Sequence, residues 1–249
     1  MFHNIFQTVF YQPILNLLVF LYNIIPGHDI GLVIIALTII LKLLLLPLSR
    51  QSIKSQKALQ ELQPKIEELK RKYSDKKEEL GKATMLLYKE NKINPLSSCL
   101  PLLIQMPFLF AVFQVFQNGL SNGSLDLVYS FINKPEAINT ITFGAVDLAQ
   151  RNITLAVLAG LAQFWQSKML TSKRPALKTT DSKDEDMASI MNKQMTYFMP
   201  LITIIIGISF PGGLALYWLV TTLLSGLQQI YIFHKKNTDN SVIEGEVLK

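Results

Sequence analysis

The feature that most constrains the fold is a series of five apolar segments, each long enough to cross a lipid bilayer. Within hydrocarbon the backbone finds no water, so a chain crosses it as helices whose N–H and C=O groups bond internally. We therefore predict an all-α membrane protein with five transmembrane helices, a cytoplasmic helical hairpin and an N-terminal interfacial helix. The predicted order is interfacial helix (1–28), first span (29–49), cytoplasmic hairpin (50–94), second span (95–117), outer loop (118–152), third span (153–170), cytoplasmic loop (171–193), fourth and fifth spans (194–233) and cytoplasmic tail (234–249).

The distribution of basic residues predicts the orientation in the membrane. Residues 1–41 contain no Lys or Arg, whereas 13 of the 24 basic residues lie between Lys42 and Lys92 and six lie between Lys168 and Lys193. Basic loops remain on the cytoplasmic side. We therefore predict an outer N-terminus and a cytoplasmic C-terminus. The absence of a cleavable signal or transit pattern favours a bacterial plasma (inner) membrane.

The segment 5–25 is apolar but carries Thr8, Gln12, Asn16 and Asn23 near one helical face. This pattern is typical of a helix lying in the membrane interface. Its length also permits a sixth span, which is the alternative interpretation.

The segment 50–94 is charged and carries an apolar stripe at alternating steps of three and four residues. Such a stripe predicts a helix paired with another, and Asp75 followed by Glu78 predicts a capping box at the start of the second helix. A solvated linker is the alternative. The stripe is Leu59, Leu62, Ile66, Leu69 and Tyr73, faced by Leu80, Ala83 and Leu87.

Lys42 lies inside the first apolar segment, toward its cytoplasmic side. A charge at the centre of a spanning helix costs ~2.5 to 3.5 kcal/mol on insertion scales, so such a residue normally faces a polar cavity or a partner. Snorkelling of its stem toward the interface is the alternative. None of the five apolar runs, 30–48, 96–117, 153–170, 195–210 and 214–233, contains Asp or Glu. Water or polar side chains must therefore solvate Lys42, and Thr38 lies one turn away.

Further polar side chains occur in the other predicted spans. Each alone is compatible with an ordinary interhelical hydrogen bond. Together with an unpaired lysine they predict a hydrated, positively charged groove that opens toward the cytoplasm. The candidates are Gln105, Gln163, Gln166 and a stripe in the last span formed by Tyr217, Thr221, Ser225 and Gln228.

Neither catalysis nor cofactor binding is predicted. The chain has a single cysteine, Cys99, and no HExxH, P-loop or CxxC pattern. His3, His28 and His234 fall in predicted outer or boundary positions. We therefore expect no enzyme, no cofactor and no metal site.

Three segments resemble a known family: IIALTIILKLLLLPLSRQSIKSQKALQELQPKI, NPLSSCLPLLIQMPFLFAVF and MTYFMPLITIIIGISFPGGLALYWLVTTLLSGLQQIY. They are similar to the YidC insertases of bacteria and to their mitochondrial Oxa and chloroplast Albino relatives. The resemblance implies a five-helix core whose groove is open to cytoplasm and lipid and closed on the outer side. It also implies that the polar part of a nascent membrane protein enters this groove without ATP.

The resemblance also implies substrate contact at five positions and reveals two departures. The family's groove charge is usually arginine where this chain has Lys42, and usually asparagine stands where it has Thr222. The large periplasmic domain and the long basic tail of some members are absent. Predicted partners are nascent membrane proteins, the lipid bilayer, the Sec translocon and, through the cytoplasmic loops, the ribosome, with no small-molecule substrate. The five positions are Thr38, Met106, Leu109, Tyr217 and Trp218.

Two other functions are compatible with the residues. A small transporter or anion channel would use Lys42 as its binding charge and would open alternately to both sides. A passive assembly scaffold would not need an intramembrane charge. Solute flux through liposomes would indicate the transporter, whereas client insertion without flux would indicate the insertase.

Overall fold

The computed structural model describes residues 5–73, 76–94, 100–119, 125–171 and 194–247, and these are predominantly helical, as predicted for an all-α membrane protein. The predicted cytoplasmic loop beyond Thr171, Asp75 of the predicted capping box and Cys99 lie outside this part of the chain. The elements are α1 (Gln12–Ile24), α2 (Ile30–Leu44), α3 (Leu46–Glu61), α4 (Gln63–Lys72), α5 (Lys77–Glu90), α6 (Leu100–Gln114), β1 (Ile141–Thr142), β2 (Val146–Asp147), α7 (Ile153–Thr171), α8 (Met199–Ser209) and α9 (Gly212–Val247). Short π-helical turns precede α1 and α8 and follow α6, at Gln7–Tyr11, Gln194–Phe198 and Val115–Gly119.

Proline residues determine where several helices begin. Pro13, Pro47, Pro64 and Pro200 each occupy the second position of their helix. A proline lacks the N–H that has no partner in the first turn anyway, and its fixed φ suits a helix start. The break between α2 and α3 at Leu45 therefore follows from the sequence Leu46–Pro47.

Among the described residues, only some of the predicted spans are helices that are both long enough and apolar enough to cross a membrane. Gly212–Phe233 is long and apolar enough to cross a membrane as a single helix. Ile30–Leu44 and Leu46–Glu61 pass only when they are counted together, and Leu103–Gln117 and Thr196–Ser209 are apolar but shorter. The number of five spans therefore stays a prediction.

The described residues form two compact units. The first comprises the described parts of 1–44, 104–171 and 179–226 and contains α1, α2, α7, α8 and most of α6 and of the apolar part of α9. Its core contains residues of α2 from Ile30 to Leu41, the last residues of α6 and the first residues of α9. Fully buried members include Leu15, Leu18, Ile34, Leu37, Val112, Val115 and Tyr217.

Burial within the first unit falls from one end of the helices to the other. Leu37 is completely buried and Leu41 is 6% exposed, but Leu43 is 62% exposed. Met106 and Leu223 are likewise exposed, whereas residues at the opposite ends of α6 and α9 lie in the core. The packed end is the one adjacent to the segment 125–152.

The segment 125–152 is bound to α1 through the polar face of that helix. Buried Asn16 donates to the Leu127 carbonyl at 3.3 Å and accepts from the Tyr129 backbone N–H at 2.7 Å. Asn23 donates to the carbonyl of Asn133 at 2.7 Å. The polar face that was predicted to lie toward the aqueous interface is thus hydrogen-bonded to this segment.

A second set of bonds holds the β1–β2 hairpin against the start of α2. Asp29 caps α2 by accepting from the backbone N–H of Gly31 at 2.8 Å, and also accepts from the Thr142 hydroxyl and from the Phe143 N–H. A side chain at Gly31 would collide with Thr142. Burial raises the pKa of the Asp29 carboxyl. The hydrogen bonds that this carboxylate accepts, including one from Leu32, lower the pKa by more, so the net pKa lies below its ordinary value.

The second unit contains α3, α4 and α5, the helices of the segment for which a hairpin was predicted, and the hairpin stays a prediction. Leu62 and Ile66 of the apolar stripe are buried at 5% and 4% exposure, and α4 contacts α5. The facing residues Leu80, Ala83 and Leu87 are half-buried. Amphipathic pairing explains why these short charged helices fold.

Candidate functional site

Lys42 lies where the burial of α2 ends. Its ammonium donates a hydrogen bond to the Ser225 hydroxyl of α9 at 2.6 Å. Among the residues that the structure describes, Ser225 is its only hydrogen-bond partner and no carboxylate forms a salt bridge with it. An ammonium has three N–H donors, so two are left for water or for another molecule.

The hydroxyl groups around Lys42 are partly used within their own helices. Ser225 donates to the Thr221 carbonyl at 2.7 Å while it accepts from Lys42. Thr38 is buried at 1% exposure and donates to the Ile34 carbonyl at 2.6 Å. Thr38 was predicted to solvate Lys42; its hydroxyl donates its proton to its own helix, and its oxygen keeps the capacity to accept from an ammonium, as Ser225 does, so this role stays a prediction.

A second polar pair joins two predicted site residues on α6 and α9. Gln105 donates to the Tyr217 phenol oxygen, and Tyr217 is buried at 1% exposure within the core. A buried phenol needs such a partner because an unpaired polar atom in the core is costly. This pair therefore joins α6 to α9 at the edge of the core.

A third polar pair lies between α7 and α8. The Thr203 hydroxyl donates to the side-chain oxygen of Gln163, and Thr203 is 3% exposed. The two helices approach closely here: the space at Gly160 is so narrow that a side chain at this position would collide with Ile204. Thr203 was not predicted; its only sequence signal is a single hydroxyl inside an otherwise apolar run.

The predicted polar stripe of α9 divides between two environments. Ser225 bonds Lys42, whereas Gln228 donates to the Ser49 hydroxyl at 2.8 Å in the second unit. Gln166 on α7 is half-buried. Ser225 and Gln228 of the predicted stripe therefore meet different neighbours along the length of α9.

The remaining predicted contact residues differ in accessibility. Met106 is 38% exposed, and Leu109 and Trp218 are half-buried. Thr222 is buried at 5% exposure. Met106 is therefore accessible at the surface of the unit, whereas Thr222 is covered by its neighbours.

Sequence reasoning missed a second buried lysine, in the second unit. Lys57 of α3 is 6% exposed and donates to the Phe233 carbonyl at 3.0 Å, with the Phe233 ring centroid 5.5 Å away. Its sequence signal is its spacing of four from buried Ile53, which puts both on one helical face.

The described residues contain no group of three or more His, Cys, Asp or Glu side chains arranged to hold a metal ion. What the site offers is one cation, several hydroxyl and amide groups and an apolar flank. Such a set can exchange hydrogen bonds with a polar or anionic guest.

Comparisons with known proteins agree with the resemblance found in the sequence. The family model described as 60Kd inner membrane protein matches residues 20–240. A membrane protein insertase YidC of Fusobacterium nucleatum is 34% identical over 231 residues, which are 92% of this chain and 99% of the relative. A membrane protein insertase YidC of Oceanobacillus iheyensis is 32% identical over 92% of this chain and 84% of its own length.

A longer relative shows the same region within a larger protein. The membrane protein insertase YidC of Magnetococcus marinus is 36% identical over 230 residues, and the chain spans 36% of its length. The match thus covers most of this chain in short and long relatives alike. The chain belongs to the 60Kd inner membrane protein family, the family of the YidC insertases, and is a membrane protein.

Proposed function

We propose that this chain inserts and folds nascent membrane proteins, using Lys42 as the charged centre of an intramembrane groove. The observation that carries the proposal is the ammonium of Lys42, which has one hydroxyl partner at 2.6 Å and no carboxylate partner among the described residues. A half-buried cation inside an apolar helix and without a counter-ion needs water or a polar guest. The relatives named membrane protein insertases supply the reaction class.

The burial gradient supports a groove that is closed on the outer side. The core surrounds the ends of the helices next to the segment 125–152 and includes Tyr217, whose phenol accepts a hydrogen bond from Gln105. The distribution of basic residues predicts that this segment lies outside and the opposite ends of the helices inside. A guest would therefore enter from the cytoplasm and stop at the packed outer end.

The groove lowers the insertion barrier by physical means that need no ATP. A polar segment crossing pure hydrocarbon loses its hydrogen bonds with water, at a cost of several kcal/mol for each unsatisfied group. A hydrated groove that reaches partway across the membrane shortens the dry distance. Lys42 also favours clients whose outer segment is acidic, because it attracts negative charge.

The client's apolar helix has an exposed apolar surface to follow. Met106 and Leu223 lie on α6 and α9 and are 38% and 41% exposed. The nascent helix would slide along this flank into lipid while its polar segment occupies the groove. The topology of five spans, with an outer N-terminus, and contacts with the Sec translocon and the ribosome belong to this proposal.

The test is reconstitution of the purified chain in liposomes, with a short client synthesised in its presence and protease protection of the client scored. We expect protection above that of empty liposomes, retained by Lys42→Arg and reduced by Lys42→Glu. Lys134→Glu is the matched control, since it reverses a lysine whose side chain is 46% exposed in the loop.

Two outcomes would overturn the proposal. Absence of protection for several clients, with a folded protein, would leave the family relationship without the activity. Flux of small anions that disappears in Lys42→Glu, without client insertion, would indicate the transporter instead.

A further inference from the structure

Large apolar side chains project from the outer segment 125–152 although its backbone is held in place. Phe131 is 81% exposed, Phe143 is 66% exposed and Ile141 is 47% exposed. Ile132 and Leu148 of the same segment are buried in the core of the first unit. The segment is therefore anchored by one set of apolar residues and exposes another.

Both exposed phenylalanines are fixed next to the turn between α1 and α2. Phe143 donates its backbone N–H to the carboxylate of Asp29 at 2.6 Å, one residue before α2 begins. Phe131 lies two residues before Asn133, whose carbonyl is bonded to Asn23 at the end of α1. The two rings thus lie at the level where the chain enters its first apolar helix.

That level is a membrane boundary whichever way α1 lies. If α1 lies in the interface, the turn Pro26–His28 joins it to the outer end of the first span. If α1 were a sixth span, the same turn would still join two helices at the membrane surface. The proposal therefore depends on α2 entering the bilayer at Ile30 and not on the placement of α1.

Phe143 has a further peculiarity. At the tip of the β1–β2 hairpin, Phe143 adopts a left-handed backbone conformation with φ of 50°. Gly144 after it is left-handed as well. Such positions favour Gly and Asn, and an aromatic side chain there costs of the order of 1–3 kcal/mol. An exposed ring in a strained position is better explained by an interaction outside the chain than by folding.

We propose that Phe131, Phe143 and Ile141 form a lipid anchor that inserts into the outer-leaflet interface of the bilayer. Aromatic rings are favoured at this depth, and Phe20 and Ile24 of α1 expose apolar surface beside the same turn at 48% and 59%. The anchor would hold the outer end of the first unit at a fixed depth. This function goes beyond client insertion and does not require it.

The experiment uses tryptophan fluorescence in liposomes. The native Trp165 and Trp218 are replaced by Phe, and single tryptophans are introduced as Phe143→Trp or Phe131→Trp, with Glu136→Trp in the same loop as the exposed polar control. Lipids brominated near the glycerol backbone or near the chain end report depth.

The anchor predicts blue-shifted emission at positions 143 and 131 that loses most intensity with bromine near the glycerol backbone. The Glu136→Trp control should stay red-shifted, quenched by iodide and insensitive to brominated lipid. Emission at 143 and 131 that matches this control would overturn the proposal. So would rings protected from iodide but unaffected by bromine at either depth, because a second copy or another protein would then cover them.

A spectroscopic test covers the case in which the tryptophan variants do not fold. A spin label on a cysteine at position 143, in a Cys99→Ser chain that keeps both native tryptophans, reports its collisions with oxygen and with a water-soluble nickel chelate. A higher ratio of oxygen to nickel collisions than at position 136 supports the anchor, and an equal ratio refutes it.

Discussion

Replacing Asn16 by leucine tests how the outer segment is attached to α1. Asn16 is 3% exposed and makes three hydrogen bonds: to the Gln12 carbonyl at 2.7 Å, to the Leu127 carbonyl at 3.3 Å and from the Tyr129 N–H at 2.7 Å. Leucine has a similar size, so the packing of α1 changes little. The substitution therefore isolates the loss of the hydrogen bonds.

The expected magnitude follows from what each partner can do afterwards. The carbonyl of Leu127 keeps a bond from the Gln12 side chain at 3.2 Å, whereas the half-buried N–H of Tyr129 loses its acceptor. An unpaired buried donor costs ~1–3 kcal/mol, and each weak bond adds ~0.5–1.5 kcal/mol. We expect local destabilisation of about 2 kcal/mol, which corresponds to a roughly thirtyfold larger open population.

Hydrogen exchange measured by mass spectrometry on the peptide around Tyr129 is the assay, with the chain in detergent or nanodiscs. Asn23→Leu is the matched control, because this residue is on the same helix and makes one exposed bond, to Asn133. It should change exchange by less than about 1 kcal/mol. Equal effects of the two substitutions, or unchanged exchange in Asn16→Leu, would refute the attachment described here.

Three further predictions concern stability. The pKa of Asp29 is lower in the folded chain than its ordinary 3.8, so the stability that Asp29 contributes is present above pH 3.8 and is lost as the pH falls through the folded pKa. Asp29→Asn should therefore flatten the acid limb of a profile of unfolding temperature against pH. Gly226→Ala puts a methyl group against an indole ring and should cost about 1–3 kcal/mol in denaturant unfolding, whereas Gly81→Ala, in the open interior of α5, should gain about 0.5–1 kcal/mol. Ser225→Ala should lower the unfolding temperature of the parent chain clearly more than that of a Lys42→Met chain, and equal effects would show that the hydroxyl and the ammonium are not coupled.

The elements follow from local chemistry and were therefore accessible from the sequence. Prolines at second positions mark the starts of α1, α3, α4 and α8, and apolar length marks α2 and α9. The partnership of Lys42 was partly accessible too, because an intramembrane cation without an acid must use polar side chains, and Ser225 was one of the candidates.

The partners of the other polar residues were not accessible, since periodicity states which residues share a face and not what covers it. The polar face of α1 was expected to meet the aqueous interface, yet Asn16 and Asn23 bond the backbone of a loop more than 100 positions away in the chain. A threonine hydroxyl inside a helix can also bond its own backbone four residues earlier, as Thr38 does, and the sequence does not state when this happens. Thr203 could have been dismissed for the same reason, but it bonds Gln163 instead.

The exchange of the family's usual arginine for Lys42 fits a site with one hydroxyl partner. A guanidinium presents five donors in a rigid plane and is best satisfied by a planar acceptor such as a carboxylate, and no carboxylate bonds Lys42 among the described residues. In the groove that we propose, an ammonium with one donor on Ser225 would direct its remaining two donors toward water, and toward an acidic client segment when one arrives. Lys42→Arg should therefore retain insertion, because the charge is kept, while discriminating less well between acidic and neutral client segments if the larger group recruits Gln105 or Tyr217. The ratio of protected acidic to protected neutral client, measured side by side in the same liposomes, distinguishes this from a groove that responds to charge alone, for which the ratio would not change.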